Sequence, residues 1–314
     1  MTCTTHHRPI RLLAVFATLA MATSIAMAQI KVTLGYTAIS DFAAAFVAKE
    51  EGYFKKNGLD VELELLTLTS VVPAALQSNA IQVGGTVPTV LLQAVDSGLD
   101  MVGLANATIN DHTGKNPALM VRAGSSIKDP KDLVGRKVGV PGLGGAMHVL
   151  VRRWLTEKGV DFKRVTFIEI ALPQMNDLLK AGTIDAVAIV EPFTTRIEAA
   201  GTGAVISYMG RDFPSGFSNV VYMSTRLWAD RNPAAVKALR LSLAEAITLV
   251  ERDPQKARHH IGKYIKLPPQ ALALIPIPVL MADLTAPRLR FWAESMRQQG
   301  MLRKEPNLSL LLVR

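Results

Sequence analysis

The stretch VGVPGLGGAMHVLVRRWL, residues 138–155, joins three structural signals in one run. A valine-rich segment at residues 137–141 predicts a β-strand, and the glycines that follow it predict a tight turn. Apolar residues then recur at helical spacing over residues 146–158, which predicts a helix with one buried stripe. A strand, a glycine turn and a helix in this order can bring backbone amides and a helix N-terminus close to an anion.

Two well-known phosphate loops do not fit this stretch. The dinucleotide pattern G-x-G-x-x-G fails because Met147 stands where the third glycine belongs, and the G-x-x-x-x-G-K-[ST] loop has no counterpart here. A nucleotide is therefore not favoured. Either the turn contacts another small ligand, or it is a tight strand-to-helix turn with no ligand.

The same alternation of strand and helix runs through most of the chain and predicts an α/β protein with parallel sheets flanked by helices. The C-terminal third, in contrast, carries one strand and then helical segments only, with a proline-broken stretch at residues 267–278. The predicted strands lie at residues 30–36, 61–68, 81–84, 101–107, 137–141, 165–170, 186–190, 204–208 and 218–224. The predicted helices lie at residues 42–51, 72–77, 88–98, 146–158, 173–181, 192–200, 233–252, 254–264 and 285–300.

Two blocks of the chain resemble each other. GLDV at residues 58–61 matches GVDF at residues 159–162, and LQSNAIQV at residues 76–83 matches LKAGTIDA at residues 179–186. Two matches in the same order predict two lobes built on one plan.

The C-terminal helices need a sheet to cover, so we expect the chain to return to the first lobe. This predicts a first lobe of residues 29–117 and 218–314, a second lobe of residues 118–217, and a hinge of two crossing strands. Ligands of open α/β sheets bind beyond the carboxyl ends of the strands, which here means the cleft between the lobes.

Residues 1–28 have the pattern of a cleavable secretory signal. Arg8 and Arg11 precede an uncharged apolar run at residues 12–25, and Ala-Met-Ala at residues 26–28 predicts cleavage after Ala28. The alternative is a membrane anchor, but the run is shorter than the ~20 residues that a membrane-spanning helix needs. Secretion across the cytoplasmic membrane is the expectation.

Composition excludes several classes of function. The only cysteine, Cys3, lies in the leader, so the exported chain can form no disulfide, thiolate metal site or cysteine nucleophile. The whole chain has a net charge of +9, and removing the leader with its two arginines and no acidic residue leaves +7. The basic residues are scattered without aromatic interleaving, which argues against nucleic-acid binding.

Polar and aromatic residues that follow the predicted strands are the candidate ligand contacts. Each has a structural alternative: Ser40 and Asp41 can cap a helix, Phe42 can enter the core, and Asn106 can shape a turn. Glu191 can bind a cationic group, although a role in shaping its loop is the favoured interpretation. The candidates are Ser40, Asp41, Phe42, Gly85, Thr86, Asn106, Gly142, Gly144, Gly145, Ala146, Glu191, Phe193, Phe217, Ser218 and Asn219.

Signals for catalysis are weak. The histidines outside the leader show no metal-ligand spacing with acidic residues, and no G-x-S-x-G nucleophile elbow is present. His148 lies beside the glycine turn, where it could reach a ligand, but on a helix face with Arg152 a solvated histidine is the more common situation. The sequence predicts no metal site, no cofactor and no enzymatic activity.

Three segments resemble solute-binding proteins of the nitrate/sulfonate/taurine type. They are VAKEEGYFKKNGLDVELELL at residues 47–66, DLVGRKVGVPGLGGA at residues 132–146 and LLKAGTIDAVAIVEPF at residues 178–193. The resemblance covers essentially the whole exported chain and implies a two-lobed type II periplasmic binding protein. It also implies a pocket drawn from the candidate residues above. The fungal thiamine-pyrimidine synthases similar to this family use a cysteine-rich motif, which the exported chain lacks.

The expected function is therefore capture of a small, anionic organic solute of the sulfonate or carboxylate type. Glycine-turn amides would hold an oxyanion, and Phe42, Phe193 or Phe217 would contact an apolar tail. The resemblance implies delivery to an inner-membrane ABC permease with its cytoplasmic ATPase, by a monomeric protein. The alternatives are an exported enzyme acting on a small acid and a solute sensor for a membrane receptor.

Overall fold

A computed structural model describes residues 1–4, 29–267 and 269–313. The predicted signal peptide, apart from its first four residues, lies outside the described residues. Within the described ranges, no helix is both long enough and apolar enough to cross a bilayer.

The described residues form ten strands and twelve α-helices. The strands are β1 (Ile30–Tyr36), β2 (Leu59–Leu65), β3 (Val83–Thr86), β4 (Met101–Ile109), β5 (Ala118–Arg122), β6 (Lys137–Val140), β7 (Thr166–Glu169), β8 (Ala186–Ile189), β9 (Gly203–Ser207) and β10 (Ser218–Thr225). The helices are α1 (Ala43–Glu50), α2 (Tyr53–Lys56), α3 (Val72–Gln77), α4 (Pro88–Asp96), α5 (Ala146–Glu157), α6 (Leu172–Lys180), α7 (Phe193–Ala199), α8 (Arg226–Arg231), α9 (Pro233–Arg252), α10 (Pro254–Tyr264), α11 (Pro269–Leu274) and α12 (Ala286–Gln298).

Two five-stranded sheets repeat one topology, which confirms the α/β class and the common plan of the two blocks. The first sheet has the order β2-β1-β3-β10-β4, and the second has the order β7-β6-β8-β5-β9. In the first sheet, β1 pairs in parallel with β2 and β3; in the second, β6 pairs in parallel with β7 and β8.

The expectation of purely parallel sheets is wrong in one respect, because each sheet carries one antiparallel strand. Strand β10 runs antiparallel to β3 and β4, and β5 runs antiparallel to β8 and β9. These two strands follow directly on the segments that cross between the sheets. Because the chain enters each of them directly from the other sheet, each begins at the cleft, where the parallel strands of its sheet end, and so runs in the reverse direction.

The chain crosses between the sheets twice, at residues 110–117 and 208–217. Both segments lie outside the strands, so the crossing strands expected at the hinge are irregular connections that lead into β5 and β10. Asn110 ties the two crossings together, since its side-chain amide donates to the carbonyl oxygens of Gly210 and Pro214. The lobe boundaries at 117/118 and 217/218 stay a prediction.

The C-terminal helices cover the first sheet, as expected from the sequence. Helices α9 and α10 pack against α1, and the buried side of α9 is built from residues such as Leu239, Leu243 and Ala246. Helix α12 differs, because it contacts both α4 in the first lobe and α5 in the second. Its buried residues, including Trp292 and Met296, belong to the same apolar cluster as the core of the second lobe.

Candidate functional site

A cleft at the junction of the two sheets is the candidate site. It encloses about 770 Å³, including the space open to solvent, and both lobes line it. Its polar lining residues are Thr37, Asp41, Thr67, Thr69, Asn116 and Asn219. Its apolar lining is larger and comprises Ile39, Leu68, Val87, Pro117, Pro141, Ala146, Met147, Leu172, Val190, Val220 and Trp292. Such a surface suits a small organic molecule that a few polar groups orient.

Five of the candidate contacts line this cleft: Asp41, Gly142, Gly145, Ala146 and Asn219. The structure brings them together from the loop after β1, the turn after β6 and the start of β10. The other ten candidates lie outside its lining, namely Ser40, Phe42, Gly85, Thr86, Asn106, Gly144, Glu191, Phe193, Phe217 and Ser218.

The three phenylalanines expected to contact the ligand are buried instead in the cores. Phe42 is fully buried and meets Tyr36 and Tyr222 edge to face. A Cβ at Gly85 would lie 2.2 Å from the Phe42 ring, so that glycine makes room for Phe42 rather than for a ligand. Phe217 stacks on Phe291 with ring centroids 3.9 Å apart. These aromatic rings therefore pack within the protein and do not line the cleft.

Several polar candidates also have structural partners. The Thr86 hydroxyl donates to the carbonyl oxygen of Thr69, and the Asn106 amide donates to that of Met281. The Ser40 hydroxyl and backbone amide both point to the carbonyl oxygen of Glu191, each at 3.4 Å. These bonds hold the three side chains to the protein itself. The helix cap expected as the alternative for Ser40 is not formed, and Asn106 lies within β4 and not in a turn.

Glu191 has the loop-shaping role that the sequence favoured. Its carboxylate accepts the backbone N–H of Thr195 at 3.2 Å, inside the first turn of α7. Its own N–H donates to the side chain of Asn116, a residue of the first crossing segment. Burial raises the pKa of Glu191, and the nearby charges of Glu198 and Asp41 raise it further.

The glycine turn after β6 has fewer free amides than its sequence suggests. The N–H of Leu143 donates to the Glu169 carboxylate, and the N–H of Gly144 donates to Nδ1 of His148, both at 2.8 Å. The N–H of Gly145 donates to the carbonyl oxygen of Gly142. The donors that remain for an oxyanion are the first amides of α5, which have no partner inside the helix.

His148 is part of the turn and not a solvated side chain. Its ring packs edge to face on Phe167 and accepts the Gly144 N–H through Nδ1. Burial, together with the charge of Arg152, lowers the pKa of His148 to about 4. The ring is therefore neutral at physiological pH, which the acceptor role requires.

A contact between the lobes rests on Gly144. The side-chain amide of Gln93 in α4 donates to the Gly144 carbonyl oxygen at 3.1 Å. Gly144 has φ +81°, and a Cβ there would lie 2.7 Å from Nε2 of Gln93. The turn and the first lobe therefore approach each other closely because this residue is glycine.

We expect Gly144→Ala to weaken the protein through this contact. The left-handed backbone costs an alanine about 1–2 kcal/mol, and the added methyl group displaces Gln93. Urea unfolding of the variant should show that loss, and ligand affinity should fall because the lobes meet less closely. Gly142→Ala is the matched control, since its Cβ would meet nothing nearer than 4.0 Å. Equal stability of the two variants would contradict the interpretation.

Asp41 is the one acidic side chain of the cleft lining, within the described part of the chain. It is 3% exposed, and its Oδ1 accepts the Thr108 hydroxyl at 2.6 Å. Its Oδ2 is buried and has no hydrogen-bond partner among the described residues. Burial raises the pKa of Asp41 to about 6, against the lowering effect of the Thr108 hydrogen bond.

Positive charge is absent from the lining, which includes no lysine, arginine or histidine in the ranges that the structure describes. The same ranges hold no group of three or more histidine, cysteine, aspartate or glutamate residues able to bind a metal ion. The net charge of the chain therefore lies elsewhere on its surface. An anionic ligand group in this cleft would depend on backbone amides.

Most of the apolar lining could not be found from the sequence. Leu68 directly precedes a short 3-10 helix at Thr69–Val71, and Trp292 comes from a helix more than 70 residues downstream of Asn219. Met147 of α5 lines the cleft, whereas Val149 on the same helix is buried in the core. Only the glycines beside it mark Met147 as a residue near a ligand.

Comparison with known proteins gives the family. The profile of the family described as NMT1/THI5 like matches residues 39–257. The nitrate/nitrite binding protein NrtA of Synechococcus elongatus is 27% identical over 244 residues, which are 68% of this chain and 54% of that protein. The nitrate import ATP-binding protein NrtC of Synechocystis is 26% identical over 255 residues, covering 76% of this chain and 38% of that protein. The chain thus spans about half or less of these two relatives.

The fold also matches a solved structure. The alkanesulfonate-binding protein SsuA from Xanthomonas axonopodis pv. citri, bound to MOPS, superimposes with a TM-score of 0.78 at 19% identity. The match covers 91% of this chain and 99% of that one. The two sheets and their crossings are therefore the type II periplasmic binding protein fold. Since the profile match spans most of the sequence, the chain belongs to the NMT1/THI5 like family.

Proposed function

We propose that this protein is a solute-binding protein that captures a small organic molecule in the cleft between its lobes. The observation that carries the proposal is the lining of that cleft, to which both lobes contribute and in which apolar surface surrounds a few polar groups. A ligand that touches both lobes favours their closed arrangement over an open one. The fold and the names of the relatives support the same conclusion.

The proposal includes delivery to an ABC importer. The partners would be an inner-membrane permease and a cytoplasmic ATPase, with the protein acting as a monomer in the periplasm after removal of its signal peptide. Nucleic acid is not an expected partner. The periplasmic fold and the relation to a nitrate-import ATP-binding protein support this assignment.

We propose binding without catalysis. Glu191 holds the start of α7 and lies outside the cleft lining, and His148 is neutral with Nδ1 occupied by the Gly144 amide. Among the residues that the structure describes, the lining around Asp41 includes no histidine, lysine, arginine, cysteine or serine. An acid and base pair matched for catalysis is not assembled there.

Ligand screening tests the function directly. Native mass spectrometry of the purified protein can detect a solute that co-purifies, and a thermal-shift screen can cover sulfonates, carboxylates, nitrate and pyrimidines. A ligand at 100 times its dissociation constant stabilises the folded state by about 2.7 kcal/mol. If no small solute shifts the melting temperature and none co-purifies, the proposed function is wrong.

Gly142→Leu should weaken binding of whichever solute is found, while leaving the fold intact. The position lines the cleft, and its Cβ has 4.0 Å of clearance from the nearest atom, so the larger side chain can extend into the ligand space. We expect at least a ten-fold weaker affinity by calorimetry and a melting temperature close to that of the unliganded wild type. Unchanged affinity would place the ligand outside this cleft.

A further inference from the structure

One side chain of the cleft has an unfilled hydrogen-bonding position. Oδ1 of Asp41 is occupied by the Thr108 hydroxyl, but Oδ2 has no donor among the described residues although the carboxyl group is almost fully buried. A buried oxygen without a partner costs free energy, so such atoms are rare unless a ligand or a water completes them. Asp41 is itself one of the residues that line the cleft, the proposed binding place of a solute.

In the described part of the chain, no cationic side chain pairs with Asp41. The ionisable groups that face it are Glu191, in the turn before α7, and the buried Tyr222 of β10; each has its pKa raised in part by the charge of Asp41. The remaining close polar partner is the hydroxyl of Thr108 on β4. A second negative charge placed beside Asp41 would be repelled by both carboxylates.

Asp41 therefore favours a ligand that presents an N–H group over a ligand that presents a second negative charge. An ionised carboxylate only accepts hydrogen bonds, so its natural complement is an N–H group, above all a charged ammonium. The lining of the cleft also includes the start of α5, where the amides of Ala146 and Met147 have no partner inside the helix. The cleft thus combines a buried acceptor at Asp41 with backbone donors at α5, within a largely apolar lining.

We propose that Oδ2 of Asp41 accepts a hydrogen bond from an amine or ring N–H of the solute, and that the protein therefore selects N–H-bearing organic solutes over bare oxyanions. This inference rests on the proposed function and adds the class of ligand. An acidic group elsewhere on the same solute remains compatible with it, since the first amides of α5 also belong to the cleft lining.

Matched pairs of probes test the selectivity. Calorimetry would compare aminopropanesulfonate with propanesulfonate, and aminomethylbenzoate with benzoate, with nitrate as the bare oxyanion. In at least one pair the aminated member should bind the wild type about 10- to 100-fold more tightly, the range expected of one charge-assisted hydrogen bond. Asp41→Asn should remove most of that difference while the amine-free member is unaffected or binds better.

The control makes the same chemical change outside the cleft. Asp185 in the second lobe accepts the Lys137 backbone N–H and does not line the cleft, so Asp185→Asn should keep the preference for the aminated probe. The pH provides a second readout. Binding of the aminated probe should weaken as the pH falls through about 6, where Asp41 gains a proton.

The outcomes separate this inference from the function on which it rests. If amine-free acids or nitrate bind as tightly as the aminated probes, or bind more tightly as the pH falls, solute binding stands and the role of Asp41 is overturned. Equal selectivity of Asp41→Asn and wild type overturns it as well. If none of the probes binds the wild type, the inference is rejected, and the broad ligand screen then decides the function separately.

Discussion

Replacing Trp292 with alanine is expected to lower the free energy of unfolding by about 3–5 kcal/mol, the range for emptying a large aromatic site in a core. Trp292 is 1% exposed and lies edge to face with Phe217 and Phe291. Its indole N–H donates to the carbonyl oxygen of Ser218, the first residue of β10. The side chain thus fixes α12 to the point where the chain returns to the first lobe.

Trp292 also lines the cleft, so its loss should affect binding as well as stability. Urea unfolding measures the stability, and calorimetry with an identified solute measures the affinity. Trp292→Phe is the control, because it keeps most of the apolar volume and removes the indole N–H. It should cost about 1–3 kcal/mol through the carbonyl oxygen left without its donor. A loss below 1 kcal/mol for Trp292→Ala would show that α12 does not hold the hinge together.

The sequence predicted the regular elements well because their signals are local. The strand at Ile30–Tyr36 and the helices at Val72–Gln77, Pro233–Arg252 and Pro254–Tyr264 have the predicted bounds. Prolines at the first turn mark three of these helix starts. The antiparallel direction of β5 and β10 was missed, because it depends on how the chain crosses between the lobes and not on residue pattern.

The site was predicted less completely, for a physical reason. A glycine turn or a polar residue after a strand marks a place where the backbone can meet a ligand, and Asp41, Gly142 and Ala146 were found in this way. Whether such a group is free depends on partners that are distant in sequence. His148 and Glu169 occupy the amides of the turn, and Tyr36 and Tyr222 enclose Phe42.

Replacing the buried Asp41 with asparagine is expected to raise the free energy of unfolding of the unliganded protein. Burial raises the pKa of Asp41 from 3.8 to about 6, so between these values the folded state binds the proton more tightly than the unfolded state. Stability from this group is present at low pH and is lost as the pH rises through about 6. The uncharged asparagine, with nearly the same shape, should raise the free energy of unfolding at pH 7.5 by about 1–3 kcal/mol.

The difference between Asp41→Asn and wild type should depend on pH, and urea unfolding from pH 4 to pH 8 measures it. It should grow from pH 4 to pH 6 and then level off. His148 acts in the opposite sense, since its pKa is lowered from 6.5 to about 4 and its contribution is lost as the pH falls below 6.5. Because both proteins contain His148, its effect cancels in the difference.

A variant less stable than wild type at pH 7.5, or a difference independent of pH, would show that the folded protein already satisfies the Asp41 carboxylate. A more stable protein that no longer prefers the aminated solute would instead show that Asp41 is kept for binding at a cost in stability.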